Sequence, residues 1–108
     1  MEKDVFCSII AGDIPSTRLQ EDNSFVAIKD IHPKAQHHYL IIPKKHIESI
    51  DDVENSDRDL MGDMVLFAQQ CAKTLNLEGY KLLVNVGEKG GQEVPHIHLH
   101  LLGGEFYR

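Results

Sequence analysis

The chain predicts an α+β fold: an antiparallel sheet of about five strands, one long helix and a short N-terminal helix. Three observations carry that prediction. Apolar residues recur at helical spacing between Leu60 and Leu75. Short apolar runs bounded by turn formers recur elsewhere, as strands require. The stretch HIHLHLL at 96–102 alternates strictly, with a glycine-rich loop before it. The resulting order, α-β-β-β-α-β-β, suits a sheet with its long helix on one face.

The elements follow in order. Residues 5–11 (VFCSIIA) predict a short helix, with Gly12 as its stop. Asp13, Ile14 and Pro15 then force an extended or turning path. Residues 18–20 and 25–28 read as strands around the turn formers at 21–24. Residues 38–42 (HYLII) give a third strand, ended by Pro43. Ser56 is placed to cap the long helix, with Asp57 and Asp59 in its first turn. Its apolar stripe comprises Leu60, Met61, Met64, Val65, Ala68, Cys71, Ala72 and Leu75. Cys71 is then a small core residue. Residues 76–79 end the helix, and residues 80–86 (YKLLVNV) predict the next strand. The loop GEKGGQE at 87–93 joins it to the histidine strand, as an antiparallel hairpin.

A length of 108 residues fits one domain with a real core. A net charge of -6 argues against general nucleic-acid binding, which needs clustered positive charge. Lys44 and Lys45, with Lys34 nearby, read as solvated surface. Cys7 and Cys71 form no CxxC pair, and no signal peptide or membrane-length apolar run is expected. A reducing cytoplasm with both thiols free is the simplest setting.

The apolar alternation explains the last strand but not its histidines. On a strand, His96, His98 and His100 share one face, while Ile97, Leu99 and Leu101 share the other and enter the core under the long helix. Neighbouring imidazoles on that face stand roughly 6.5 to 7 Å apart, close enough to flank a small anion. Three uses compete: a solvated polar face, a metal site, or nucleophilic catalysis by a neutral imidazole. The glycine loop favours catalysis at a phosphate, because glycines let backbone N–H groups approach closely. Asn85 falls late in its strand, where it could point into the same site or simply prepare the turn.

His96-Ile97-His98-Leu99-His100-Leu101-Leu102 fits the pattern His-φ-His-φ-His-φ-φ, with φ apolar. Residues 6–15 (FCSIIAGDIP), 30–36 (DIHPKAQ), 38–47 (HYLIIPKKHI), Gly90-Gly91-Gln92 and Leu102-Gly103-Gly104 extend the match in order. With them the chain resembles the histidine triad (HIT) family, in its Hint branch, over nearly its whole length. The resemblance implies a single HIT domain over 1–108. It also implies a purine nucleoside 5′-phosphoramidate hydrolase that acts on AMP, GMP or adenosine phosphoramidates. His98 would attack phosphorus and become a nucleotidyl-histidine. His96 and His100 would flank it, orienting the phosphate and moving protons, with His38 in the relay. Asn85 and the backbone of Gln92 and Glu93 would contact the phosphate. Asp30 would bind the ribose, and Phe6, Ile9, Ile28, Ile31 and Leu40 would wall the base. His32 and His37 receive no role.

The resemblance further implies a homodimer joined through the long helix and a strand, with no nucleic-acid or membrane partner. No metal is required for this chemistry. Some bacterial relatives hold a structural zinc on two N-terminal cysteines, the histidine of a PKxHI segment and the first triad histidine. The matching positions are Asp4, Cys7, His46 and His96. Asp4 in place of the usual cysteine weighs against a filled site. Two other activities stay open: dinucleoside polyphosphate hydrolysis of the Fhit kind, and a non-catalytic nucleotide-binding regulator.

Overall fold

The computed structural model describes residues 4–107. The elements are α1 (Val5–Ile10), β1 (Arg18–Glu21), β2 (Phe25–Lys29), β3 (Ala35–Pro43), α2 (Arg58–Thr74), β4 (Tyr80–Leu83) and β5 (Leu99–Phe106). The strands form one antiparallel sheet in the order β1-β2-β3-β5-β4. The predicted α+β class and five strands are therefore found.

Two cores sandwich the sheet. Phe25, Ile41, Leu99 and Leu101 pack against Met64, Phe67, Ala68 and Cys71 of α2. On the opposite face, Phe6 and Ile9 of α1 pack with Val26, Ile28, Leu40 and Ile42. Because strand side chains alternate, Leu99 and Leu101 pointing at α2 send His98 and His100 to the α1 side. The long helix thus holds the sheet, and the short one shares its face with the imidazoles.

Several boundaries differ from the sequence expectation. The long helix starts at Arg58, after a 3-10 turn at Asn55–Asp57, so Ser56 is not its cap. Asp57 is its N-cap residue without a side-chain cap bond; a reciprocal box between Glu54 and Asp57 closes the 3-10 turn before it, with Lys45 Nζ 2.6 Å from the Asp57 carboxylate. Val65 is half exposed, and Phe67, absent from the predicted stripe, is buried instead. β4 stops at Leu83 rather than 86.

The larger correction concerns the histidine strand. β5 begins at Leu99, so only His100 lies within it. The ladder with β3 ends at the pair Ile41 and Leu99. Pro43 has no N–H to extend it, and its carbonyl is taken by the His96 ring at 2.8 Å. The 96–98 segment leaves the sheet and docks on the next turn, with Ile97 N–H donating to the Ile47 carbonyl at 2.7 Å.

The β3–β5 ladder also carries a bulge between Ala35 and His37. Gly104 there has φ 75°, and a Cβ on it would sit 2.5 Å from Gln36 Oε1. Gly104→Ala should therefore destabilise the fold by roughly 1 to 3 kcal/mol, read as a lower denaturant midpoint at unchanged m-value.

Candidate active site

Hydrogen bonds assign the ring protons of the site one by one. The Lys34 backbone N–H donates to His38 Nδ1 at 3.1 Å, so that nitrogen carries a lone pair. His38 Nε2 must then hold the proton, and it lies 2.9 Å from His100 Nδ1 and 3.3 Å from Asp30 Oδ2. His100 Nδ1 accepts, which leaves its own proton on Nε2. His98 Nδ1 lies 2.8 Å from the His96 carbonyl, which can only accept. His98 Nδ1 therefore holds the proton, and Nε2 presents a lone pair. The His98 and His100 ring centroids are 5.1 Å apart, and those of His38 and His100 5.2 Å. A nucleophilic nitrogen, an N–H donor and a proton relay thus stand in one row.

Burial keeps this row uncharged. It pushes His98 below histidine's ordinary range, outweighing the contrary pull of the His96 carbonyl. His100 is pushed down to about 4, first by burial and then by the charges that His98 and His38 would carry. Burial also lowers His38, against the attraction of Asp30. At neutral pH all three rings are neutral, the state a nucleophile and relay require.

His96 departs from its expected role. Its ring is fully buried, and Nε2 donates to Pro43 O. Nδ1 lies 3.1 Å from Asp4 Oδ2 and 3.6 Å from Cys7 Sγ. Both nitrogens are spent away from His98, so His96 contributes its carbonyl rather than its ring. His46 Nδ1 joins the same cluster, 3.0 Å from Asp4 Oδ2 and 3.5 Å from Cys7 Sγ. All four donor atoms lie within 4.8 Å of one another. Burial raises the Asp4 carboxyl, but the Cys7 amide and the His96 ring outweigh it and hold it below its usual value.

The donor set fits a divalent cation. His96 Nδ1, His46 Nδ1, Cys7 Sγ and an Asp4 carboxylate oxygen converge on one point, the nitrogen, sulfur and oxygen donors that zinc takes. Tetrahedral zinc with bonds of 2.0 to 2.3 Å sets its donors about 3.3 to 3.8 Å apart, near the separations here. Asp4 thus closes the set geometrically, despite replacing a thiolate.

The remaining expected residues divide. Asp30 stands beside His38, and Phe6 meets the His98 ring edge-on at 5.0 Å. Phe6, Ile9, Ile28 and Leu40 are brought together in one buried cluster. Ile31 is not among them; it is 86% exposed. Asn85 does not offer its amide to the histidines: Nδ2 donates to Gly90 O at 2.9 Å and braces the glycine loop. The Gln92 side chain likewise accepts from Gly87 N and donates to Glu48 O and Val94 O. Glu93 lies on an open cleft of about 760 Å³ with Glu48, Ser49 and Glu88, which none of the triad histidines lines. Sequence reasoning missed the Lys34 amide, the Pro43 carbonyl and the His96 carbonyl, since backbone groups leave no residue-type signal.

A family model described as scavenger mRNA decapping enzyme C-term binding matches residues 3–108. Protein HitA of Neisseria gonorrhoeae is 41% identical over 104 residues, covering 95% of this chain and 97% of its own. The crystal structure of a HIT family hydrolase from Legionella pneumophila Philadelphia 1 superposes with a TM-score of 0.93 at 48% identity, covering 95% of this chain and 94% of the other. The chain belongs to the histidine triad family. A Zn-bound histidine triad family protein from Mycobacterium smegmatis has a TM-score of 0.78 at 34% identity, covering 96% of this chain and 74% of the other.

The neutral rings of this HIT protein make a pH prediction. His100 binds its proton near pH 4 in the folded state and near 6.5 in the unfolded one. Between those values the unfolded chain holds more protons, so stability is full above about pH 6.5 and falls as pH drops towards 4. Urea midpoints should therefore be lower at pH 5 than at pH 7.5, with part of that loss absent in His100→Asn.

Proposed function

We propose that this chain hydrolyses purine nucleoside 5′-phosphoramidates through a covalent nucleotidyl-His98 intermediate. The single observation that carries the reading is the His98 ring, tied through Nδ1–H to a carbonyl and presenting Nε2 as a lone pair. His98 Nε2 attacks phosphorus, forming a P–N bond as the bond to the leaving amine breaks. A proton taken up from water charges the His38–His100 pair, and Asp30 stabilises that positive charge. His100 Nε2 gives a proton to the departing nitrogen, and the pair returns to neutral. Water then attacks phosphorus and gives a proton back through the same relay. The nucleoside monophosphate leaves and His98 is restored. The hydrolase named in the Legionella structure supports the reaction class. Asp30, beside the relay, would also reach the ribose hydroxyls. The amides of Gly87, Gly90, Gly91 and Gln92 are spent inside the loop, which leaves the Glu93 backbone as the loop's candidate for the phosphate.

Asp4, Cys7, His46 and His96 would hold a structural zinc, which neutralises their charge and cross-links distant segments. A second copy of the chain would cover β4 and α2. β4 is an edge strand whose Tyr80, Leu82 and Leu83 are exposed, and Val65 and Leu66 of α2 are exposed as well. Among the described residues no helix is long and apolar enough to cross a membrane. The free thiols of Cys7 and Cys71 suit a reducing cytoplasm.

Three outcomes are expected. His98→Ala abolishes release of the amine from an adenosine phosphoramidate but still binds AMP in calorimetry; residual wild-type turnover contradicts the mechanism. His100→Ala lowers kcat about 10²- to 10⁴-fold, most for basic amine leaving groups. Light scattering gives the mass of two chains, and Leu66→Asp with Leu83→Asp gives one.

A further inference from the structure

We infer that Asp4 and Cys7 are positioning residues: with His46 and His96 they clamp helix α1 and the His96 peptide, and so set the ring of His98. The inference rests on the proposed role of His98 only in its kinetic arm. His96 is the node. Its ring is held at both nitrogens, by Pro43 O at 2.8 Å and by the Asp4 and Cys7 cluster. Its carbonyl is the acceptor for His98 Nδ1–H, also at 2.8 Å. A ring pinned at both ends fixes its own peptide, and that peptide fixes the tautomer and direction of His98.

The other half of the clamp runs through α1. Asp4 uses both carboxylate oxygens. Oδ1 caps the helix by accepting from Cys7 N at 2.8 Å, and Oδ2 faces His46 and His96. Cys7 reaches the same two histidines one turn later. Between them on the helix, Phe6 lies edge-on to both His98 at 5.0 Å and His96 at 6.0 Å. A helix of six residues does not persist on its own, so its docking depends on such anchors. The cluster therefore links residues 4–7, 46 and 96, and sits two residues from His98. A zinc ion in it would stiffen both routes to His98 at once.

The test compares four proteins: wild type loaded with zinc, wild type stripped with chelator, Asp4→Ala and Asp4→Cys. Metal content is read by elemental analysis, helix order by hydrogen exchange over residues 7–11, and the His98 ring by its Nδ1–H resonance in ¹⁵N NMR. Sheet amides such as those of Ile41 and Leu101 report whether the fold survives. Asp4→Ala should remove the slowly exchanging His98 Nδ1–H signal, speed exchange in α1, leave the sheet protected and lower kcat about 10- to 100-fold. The stripped wild type, which keeps the hydrogen-bonded cluster, should fall between Asp4→Ala and the loaded protein, and Asp4→Cys loaded with zinc should restore all of these. Should Asp4→Ala fail to fold, Cys7→Ala gives the same reading. An unchanged His98 signal and unchanged α1 protection in the variant would overturn the clamp. The spectroscopic and exchange arms need no substrate, so they decide the clamp even in a protein that cleaves no phosphoramidate; that result would overturn the reaction alone.

Discussion

One hydrogen bond organises this molecule's chemistry: the 2.8 Å contact from His98 Nδ1–H to the His96 carbonyl. Imidazole has two nitrogens and, when neutral, one proton. Fixing that proton on Nδ1 decides that Nε2 carries the lone pair and decides its direction. The same logic runs down the row. The Lys34 amide puts the proton of His38 on Nε2, and His38 in turn leaves that of His100 on Nε2. Two backbone groups thereby set the proton arrangement of three side chains.

That arrangement depends on how the sheet is built. β3 supplies His38 and the Pro43 carbonyl, while β5 supplies His100. The pairs Leu40 with His100 and His38 with Leu102 fix their register. A slip of one residue would send His100 under α2 and Leu101 into the site. The packing of Leu99 and Leu101 against α2 is worth roughly 1.5 to 3 kcal/mol for each buried side chain, which makes such a slip unfavourable. Core packing on one face thus enforces chemistry on the other. Burial does a second job: it is the first cause that keeps the three rings neutral, with their mutual repulsion added at His100.

The parts of this design differ in how they show in the sequence. Alternation around Leu99 and Leu101 and the stripe through Met64, Ala68 and Cys71 are periodic, so helix, strand and their contact are legible. The resemblance adds His38, Asp30 and the Asp4, Cys7, His46 and His96 set, which their spacing alone does not bring together. What stays hidden is whatever backbone atoms do. Alternation makes His96 equivalent to His98 and His100, yet Pro43 ends the ladder and turns the His96 ring into a separate cluster. Asn85 gives one of its two amide N–H groups to the nearby Gly90 carbonyl and so braces the glycine loop. In both cases a backbone carbonyl is a partner that the pattern does not show.

The central claim is that His98 Nε2 forms a covalent bond to phosphorus. Mass spectrometry of the protein, acid-free quenched during turnover of a nucleoside phosphoramidate, tests it most directly. The account predicts one nucleotide-sized increment that maps to His98 and vanishes as substrate is exhausted. An increment on another residue, or steady turnover with no modified protein under single-turnover trapping, would contradict it.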